Sequence, residues 1–235
     1  MRFFSNFDRI YCINLAHRKD RWLQCLRQFE LFEITDCVIP YRPKPFHFGS
    51  LSKKANAQLS CAFSHYSILK DAYNSKHSSV LVLEDDFFFP SSVSWTTHKL
   101  EKSWSELPKT WDTFHLSAYF VQGYHYKPAT RFSENLVTVK TGFCNHAVAY
   151  SSRGLSKIMS ELVLESPNDL LKFAHEFEAI DWYMVRWFQN QNGCFAPDEL
   201  VCIQSPGHSD IEGQFYDYSK LFSSSYADHI TGTGS

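Results

Sequence analysis

The sequence predicts a mixed α/β domain in which a mostly parallel sheet has helices on both faces. The run from Val80 to Leu83 is entirely aliphatic, the pattern of a strand that is buried on both sides. Apolar residues at helical spacing fill 57–74 directly before it. Strand-like and helix-like segments alternate along most of the chain, as they do in sheets covered by helices.

Length and composition predict one folded domain. The chain has 235 residues, of which 44% are hydrophobic and 17% aromatic, and this excludes a disordered protein. We expect the domain to span 1–222, and the small polar residues of 223–235 to form a flexible tail. A net charge of -2 leaves no basic surplus for binding a nucleic-acid backbone.

Cysteine usage and hydropathy predict the compartment. Seven cysteines without paired CxxC spacing are typical of reduced thiols rather than of a disulfide framework. No apolar run approaches the length needed to span a membrane. We therefore expect a cytoplasmic protein, either free or peripheral to a membrane.

The first predicted strand covers 10–15, and a helix follows over 18–29; together they make half of a nucleotide-binding unit. Arg18 and Arg21 are three residues apart in the first helical turn, so they lie on one side. Cations there oppose the helix dipole, whereas a bound diphosphate would use both the dipole and the guanidinium groups. We favour the diphosphate site, with local compensation by Asp20 as the structural alternative.

Three acidic residues, Glu84, Asp85 and Asp86, follow the aliphatic strand directly. Ligands of open α/β sheets gather beyond the carboxyl ends of the strands. Adjacent carboxylates repel each other, and a divalent cation relieves that repulsion. The alternative is an acidic turn that keeps a sheet edge soluble, but the aromatic run at 87–89 is unusual after a solvated turn.

The remaining segments complete the predicted order. We expect further strands at 38–40, 114–116, 137–139, 147–150 and 201–204, and further helices at 93–107, 155–163 and 180–188. The aromatic, turn-rich segment 118–128 fits either a binding loop or a hairpin.

Several polar residues within these elements are candidates for a site. Ser64 and His65 lie beside the apolar stripe of 57–74, where a histidine is by default a core residue with a satisfied hydrogen bond. Asp181 lies in the first turn of the helix at 180–188, a common place for an acid that only complements the dipole. His208 stands in a Gly/Pro turn that is able to carry a metal ligand.

Three ordered pieces of the chain resemble glycosyltransferase family 25, which includes lipooligosaccharide and collagen galactosyltransferases. The pieces are Ile13-Asn14-Leu15 with Arg18, Asp20 and Arg21; Cys61-Ala62-Phe63-Ser64-His65; and Leu83-Glu84-Asp85-Asp86. Their order makes the match more specific than any single piece, and it covers roughly the first 90 residues well. Gln58-Leu59-Ser60 stands where the family usually has Glu-x-Gly.

The resemblance implies a GT-A fold, a UDP-sugar donor and a divalent cation, Mn²⁺ or Mg²⁺. It implies that Asp86 binds the metal, that Glu84 or Asp85 contacts the ribose or a metal-bound water, and that Glu84 and His208 complete the metal site. The residues it implies for donor binding are Asn14, Arg18, Arg21, Ser64, His65, Glu84 and Asp85.

The family is classed as inverting, which requires a general base, and Asp181 is the candidate. The implied acceptor is a hydroxyl of a glycan, of a lipooligosaccharide or of a protein-linked acceptor. Two alternatives remain open. One is a glycan-binding or assembly protein that has lost turnover, which the altered residues 58–60 favour. The other is a metal-dependent nucleotidyltransferase or phosphoesterase, which the absence of a glycine-rich phosphate loop disfavours.

Overall fold

A computed structural model describes residues 3–121 and 127–231. Its helices are α1 (Lys19–Leu31), α2 (Lys53–Asn74), α3 (Val93–Ser105), α4 (Ser152–Glu161), α5 (Pro167–Glu176), α6 (Ile180–Tyr183) and α7 (Ser219–Tyr226). Its strands are β1 (Arg9–Ile13), β2 (Val38–Tyr41), β3 (Ser79–Glu84), β4 (Phe87–Phe88), β5 (Thr113–His115), β6 (Tyr119–Phe120), β7 (Ala129–Arg131), β8 (Leu136–Val139), β9 (Gly142–Phe143), β10 (Ala147–Ser151), β11 (Cys194–Pro197), β12 (Ile203–Gln204), β13 (Gly207–His208) and β14 (Phe215–Tyr216).

Eight of the described strands form one sheet, in the order β2-β1-β3-β10-β5-β11-β8-β7. The first three are mutually parallel, and β10 and β8 run against the other six. The predicted mixed, mostly parallel sheet is therefore confirmed. Three further pairs, β4 with β12, β6 with β9 and β13 with β14, lie outside it.

Strand β3 joins the two halves of the core. Its four aliphatic side chains are fully buried. Because strand side chains alternate between faces, Val80 and Val82 enter the cluster that includes α2 and α4, and Leu81 and Leu83 enter the cluster that includes α1 and α3. Each buried side chain contributes about 1.5–3 kcal/mol of transfer free energy. Helices on both faces follow from this pattern, as predicted.

The aromatic run after the acids is anchored in the core. Phe87 and Phe89 are 3% and 4% exposed, and the Phe87 ring stacks on Phe29 of α1 with centroids 5.6 Å apart. Phe88 is 39% exposed. The acidic turn is thereby fixed on both sides, by β3 before it and by buried aromatic rings after it.

Helix α5 and strand β11 are among the elements that were not predicted. Helix α5 begins at a capping box formed by Ser166 and Asp169, with Pro167 in its first turn, which is a signal that sequence reasoning can use. Strand β11 is short and irregular in composition, yet it pairs with both β5 and β8. The helix predicted at 180–188 is α6, which continues as a π-helical turn at Met184–Phe188.

The predicted flexible tail is wrong for 223–231. Helix α7 runs through Tyr226, and a π-helical turn follows at Ala227–Thr231. The Phe222 and Tyr226 side chains are buried, and Tyr226 packs against Phe120 with ring centroids 5.2 Å apart. This burial holds the segment on the domain. Residues 232–235, like 122–126 of the predicted aromatic loop, lie outside the described residues.

None of the helices in the part of the chain that the structure describes is both long enough and apolar enough to cross a bilayer.

Gly154 of α4 packs closely against the backbone that precedes β5. A Cβ at this position would lie 2.2 Å from the backbone oxygen of Asp112. Gly154→Ala is therefore expected to destabilise the protein by about 1–3 kcal/mol through overpacking. Urea denaturation measures this change. Gly49→Ala is the control, because a Cβ there meets nothing within 4 Å; equal midpoints for the two variants would contradict the expectation.

Two buried histidines are expected to make stability depend on pH. His115 and His146 are fully buried, and burial lowers their pKa values from 6.5 to about 3 and about 4. Below about pH 6.5 the two imidazoles bind protons in the unfolded chain, whereas in the folded chain they stay neutral until the pH approaches their lowered pKa values. Stability is therefore fully present above that pH and falls as the pH drops toward 4. The slope reaches about 1.4 kcal/mol per pH unit for each histidine.

The His115→Gln variant isolates one of these contributions. Its unfolding free energy is measured in urea between pH 7.5 and 5 and is expected to fall less steeply with decreasing pH than that of the unmodified protein. The difference between the two slopes is expected to correspond to the uptake of about one proton fewer per molecule on unfolding. Buried carboxylates contribute equally in both proteins and cancel in the comparison. Parallel slopes would show that His115 is not kept neutral by the fold.

Candidate active site

A cavity of about 580 Å³ opens at the carboxyl ends of β1 and β3. Residues from the loop before α2, from α2 itself, from α6 and from the segment at 204–218 complete its walls. Six of the predicted site residues line it: Arg21, Ser64, Glu84, Asp85, Asp86 and Asp181. Asn14, Arg18, His65 and His208 do not line it.

Asp85 is held by two neighbours. Its Oδ2 accepts a hydrogen bond of 2.6 Å from Asn14 Nδ2, and its Oδ1 accepts one of 2.8 Å from Arg21. The residue is 7% exposed, and burial raises the pKa of its carboxyl group despite the neighbouring Arg21. With both oxygens engaged, Asp85 mainly positions Arg21 and the acidic turn, and Asn14 acts through Asp85.

Asp86 is held by Arg21. Its Oδ2 accepts a hydrogen bond of 3.0 Å from Arg21, whereas Oδ1 is buried and has no hydrogen-bond partner among the described residues. Burial and the charge of Glu84 raise the pKa of Asp86 to about 7, although the neighbouring Gln204 side chain acts to lower it. A buried carboxylate oxygen without a partner is costly unless something binds it.

Glu84 is the last residue of β3 and pairs with a buried histidine. Its Oε1 lies 2.8 Å from Nε2 of His65, which is fully buried on α2. Burial acts to raise the pKa of Glu84, but the hydrogen bond to His65 and nearby positive charge hold it below its usual value. Ser64 and His65, the pair implied by the resemblance, make different contacts. His65 contacts Glu84, whereas Ser64 Oγ donates a hydrogen bond to the Ser60 carbonyl within α2.

Asp181 stands on another wall, in the first turn of α6. Its oxygens accept hydrogen bonds from the Cys144 amide at 3.2 Å and from Asn145 Nδ2 at 2.5 Å. Cys144 has a φ of 71°, an uncommon backbone conformation for a residue with a side chain. Burial, and then the charge of Glu84, raise the pKa of Asp181. A carboxyl group of this kind is suited to accept a proton.

Arg18 and Arg21 connect the start of α1 to the segment around β13 through hydrogen bonds. Both donate to the backbone oxygen of His208, each at 3.0 Å, and Arg18 also pairs with Asp20 at 2.9 Å and with Asp210. The His208 side chain is exposed and lies outside the cavity lining. The contact of His208 with the two arginines is made by its backbone carbonyl, and its predicted role as a metal ligand stays a prediction.

Among the lining residues that sequence reasoning missed are the neighbours Cys144 and Asn145 and two tyrosines, Tyr216 and Tyr218. Cys144 and Asn145 precede β10, and no motif connects them to Asp181, which is far along the chain. Tyr216 and Tyr218 stack with ring centroids 5.3 Å apart and planes at 8°. Their spacing of two, which puts side chains on one side of an extended segment, was an available signal. Such flat aromatic faces suit sugar rings or bases.

The lining favours a cation. Among its described residues, carboxylates outnumber the permanently positive side chains by six to two. The carboxylates belong to Glu84, Asp85, Asp86, Asp181, Asp210 and Glu212. Oxygen ligands of this type suit Mn²⁺ and Mg²⁺, and the unpartnered Oδ1 of Asp86 fits a ligand role. Glu84 and Asp86 are thus the residues fit to hold a metal.

Comparison with known proteins gives a family match and distant relatives. The family model described as Glycosyltransferase family 25 (LPS biosynthesis protein) matches residues 7–164, about two thirds of the chain. Procollagen galactosyltransferase 1 of Danio rerio is 22% identical over 219 residues, which cover 83% of this chain and 36% of that protein. Procollagen galactosyltransferase 1-B of Xenopus laevis is 26% identical over 180 residues, which cover 66% and 28%. The chain spans about a third of the length of these relatives.

Two solved structures are similar at a greater distance. A glycosyltransferase involved in the glycosylation of the major capsid of PBCV-1 aligns over 80% of this chain and 91% of that chain, with a TM-score of 0.37 and 9% identity. Mannose-1-phosphate geranyltransferase from Thermus thermophilus aligns over 80% and 58%, with a TM-score of 0.39 and 6% identity.

Proposed function

The chain belongs to glycosyltransferase family 25, and from that membership we propose that it transfers a galactose or glucose from a UDP-sugar to an acceptor hydroxyl, with inversion and with a divalent cation. The curated relatives are named as galactosyltransferases, which makes galactose the first sugar to test. The acceptor is a hydroxyl of a glycan, of a lipid-linked acceptor or of a protein-linked acceptor.

One observation carries this proposal. Glu84 and Asp86, from the end of β3, and Asp181, from α6, line the same cavity. They offer two different carboxylate functions in one space: a pair suited to a cation at the sheet edge and a separate, partly buried acid. Inverting transfer needs both, because one must assist the departing diphosphate and the other must accept the proton of the attacking hydroxyl.

The donor side of the reaction involves Glu84, Asp86 and Arg21. A divalent cation held by Glu84 and Asp86 would, when bound, neutralise the charge of the leaving diphosphate. Arg21 lines the cavity next to both aspartates of the motif. Its fixed positive charge is already oriented by them, so it can stabilise negative charge as the bond between sugar and diphosphate breaks.

The acceptor side involves Asp181. The acceptor oxygen attacks the anomeric carbon and forms the new glycosidic bond, while the bond to UDP breaks and the hydroxyl proton passes to the Asp181 carboxylate. A single displacement of this kind inverts the anomeric configuration. The hydrogen bonds from Cys144 and Asn145 hold the carboxylate in place, and its raised pKa makes it a better proton acceptor than an exposed aspartate.

A donor screen tests the proposal. The protein is incubated with a panel of nucleotide sugars and either Mn²⁺ or EDTA, and UDP release is followed with and without candidate acceptors. Release of UDP from UDP-galactose or UDP-glucose that requires the metal and is stimulated by an acceptor supports the proposal. Glycan binding without UDP release would indicate a binding protein instead. Release of nucleoside monophosphate would indicate phosphodiester or nucleotidyl chemistry.

A further inference from the structure

A second ligand set adjoins the acidic motif. A sulfur of Cys61, a nitrogen of His65 and a carboxylate oxygen of Glu84 all lie within 4.8 Å of one another, and they form the group of three metal-ligating side chains found among the described residues. We propose that these three residues form a Zn²⁺ site in the wall of the cavity, which shares Glu84 with the oxygen site at Glu84 and Asp86 and adds a thiolate and an imidazole.

The local fold brings the three side chains together. Cys61 and His65 are four residues apart on α2, so they project from one face of the helix toward the end of β3, where Glu84 stands. His65 is fully buried; its Nε2 lies 2.8 Å from Glu84, and its Nδ1 has no hydrogen-bond partner in the described part of the chain. The ring therefore presents Nε2 to Glu84, and a metal ion held between them would take the place of this hydrogen bond.

Distances and access also fit a metal ion. Tetrahedral ligands at about 2.0–2.3 Å from Zn²⁺ lie roughly 3.3–3.8 Å apart. The observed separations of 4.8 Å or less therefore require side-chain shifts of only about 1 Å. Cys61 and Glu84 both line the cavity, so an ion can enter from solvent, and a water or substrate group can fill the fourth position.

The ligand types select the metal. A thiolate and an imidazole favour Zn²⁺, whereas Mn²⁺ and Mg²⁺ prefer sites made of oxygen ligands. Because Glu84 belongs to both ligand sets, Zn²⁺ bound here would draw Glu84 away from Asp86. If the proposed function holds, Zn²⁺ is then expected to inhibit sugar transfer in competition with Mn²⁺. This consequence rests on the proposed function, but the binding site itself does not.

Metal binding is tested without donor or acceptor. Zn²⁺ is titrated into the purified chain in competition with a chromophoric chelator, and one equivalent per chain is expected. Cys61→Ser is expected to weaken binding at least about 10-fold. Cys144→Ser is the matched control, because Cys144 also lines the cavity but is not part of the ligand group; its Zn²⁺ affinity is expected to stay within a factor of about two of the unmodified protein.

Co²⁺ in place of Zn²⁺ gives a second readout on the unmodified protein. A thiolate-to-Co²⁺ charge-transfer band in the near ultraviolet is expected, and it is expected to persist in Cys144→Ser and to vanish in Cys61→Ser. Absence of that band from the unmodified protein would overturn the proposal, whatever the variants do. Equal Zn²⁺ affinity in Cys61→Ser and the unmodified protein would overturn it too. Either result leaves the sugar-transfer proposal intact.

Discussion

Asp181→Asn is expected to lower the rate of sugar transfer to an acceptor about 10²- to 10⁴-fold while leaving UDP-sugar binding almost unchanged. Asparagine keeps the size of the side chain and one acceptor oxygen, so a hydrogen bond from Cys144 or Asn145 can remain. It removes the group that accepts the proton. Initial rates with acceptor, together with calorimetric titration of UDP, measure the two effects separately.

The control for this variant is Asp36→Asn, because Asp36 is exposed and lies outside the cavity lining. Its transfer rate is expected to match that of the unmodified protein. A different pattern would reverse the assignment. If Asp181→Asn abolished UDP binding and unfolded the protein at ordinary temperature, then Asp181 would serve the α6 turn and its hydrogen bonds rather than the reaction.

Asp86→Asn is expected to lower metal-dependent UDP release by about 10²-fold or more, equivalent to ~2.7 kcal/mol of transition-state stabilisation. The substitution removes the carboxylate whose Oδ1 is buried without a partner among the described residues. Arg21 keeps its 2.8 Å contact with Asp85, so the fold is expected to persist. UDP release at increasing Mn²⁺ concentration measures the loss.

Asp228→Asn is the matched control, since Asp228 is exposed and does not line the cavity. Thermal unfolding of both variants separates chemistry from stability. An unchanged Mn²⁺ response in Asp86→Asn, combined with a lower melting temperature, would mean that the ion pair with Arg21 is structural and that the acidic turn holds no metal.

The acidic motif could be placed from sequence because its signal is local. Val80 to Leu83 are aliphatic, acids follow, and aromatic residues come next, so the edge of the sheet and its charge are readable in one stretch. Helix α2 and strand β10 were readable for the same reason, as periodic apolar patterns. Strand β11 was not, because a short strand gains its position from its neighbours β5 and β8 rather than from its own pattern.

The roles of individual side chains depended on contacts that no spacing encodes. The resemblance implied roles for Arg18 and His208 in the site; the structure adds that Arg18 pairs with Asp20 and Asp210 and that the His208 imidazole is exposed. The prediction of a flexible tail depended on composition in the same way. Residues 223–231 are mostly small and polar, but the buried rings of Phe222 and Tyr226 hold this segment on the domain.

By itself, the sequence determined the α/β class, the buried strand at the centre of the site and the acids at its end, because hydrophobic periodicity and charge are properties of neighbouring residues. Only the tertiary structure decided how many partners each acid has. Asp85 and Asp86 are adjacent in sequence, but Asn14 and Arg21 occupy both oxygens of Asp85, whereas one oxygen of Asp86 has no partner among the described residues. Burial and hydrogen bonding, which differ between neighbouring side chains, set that difference.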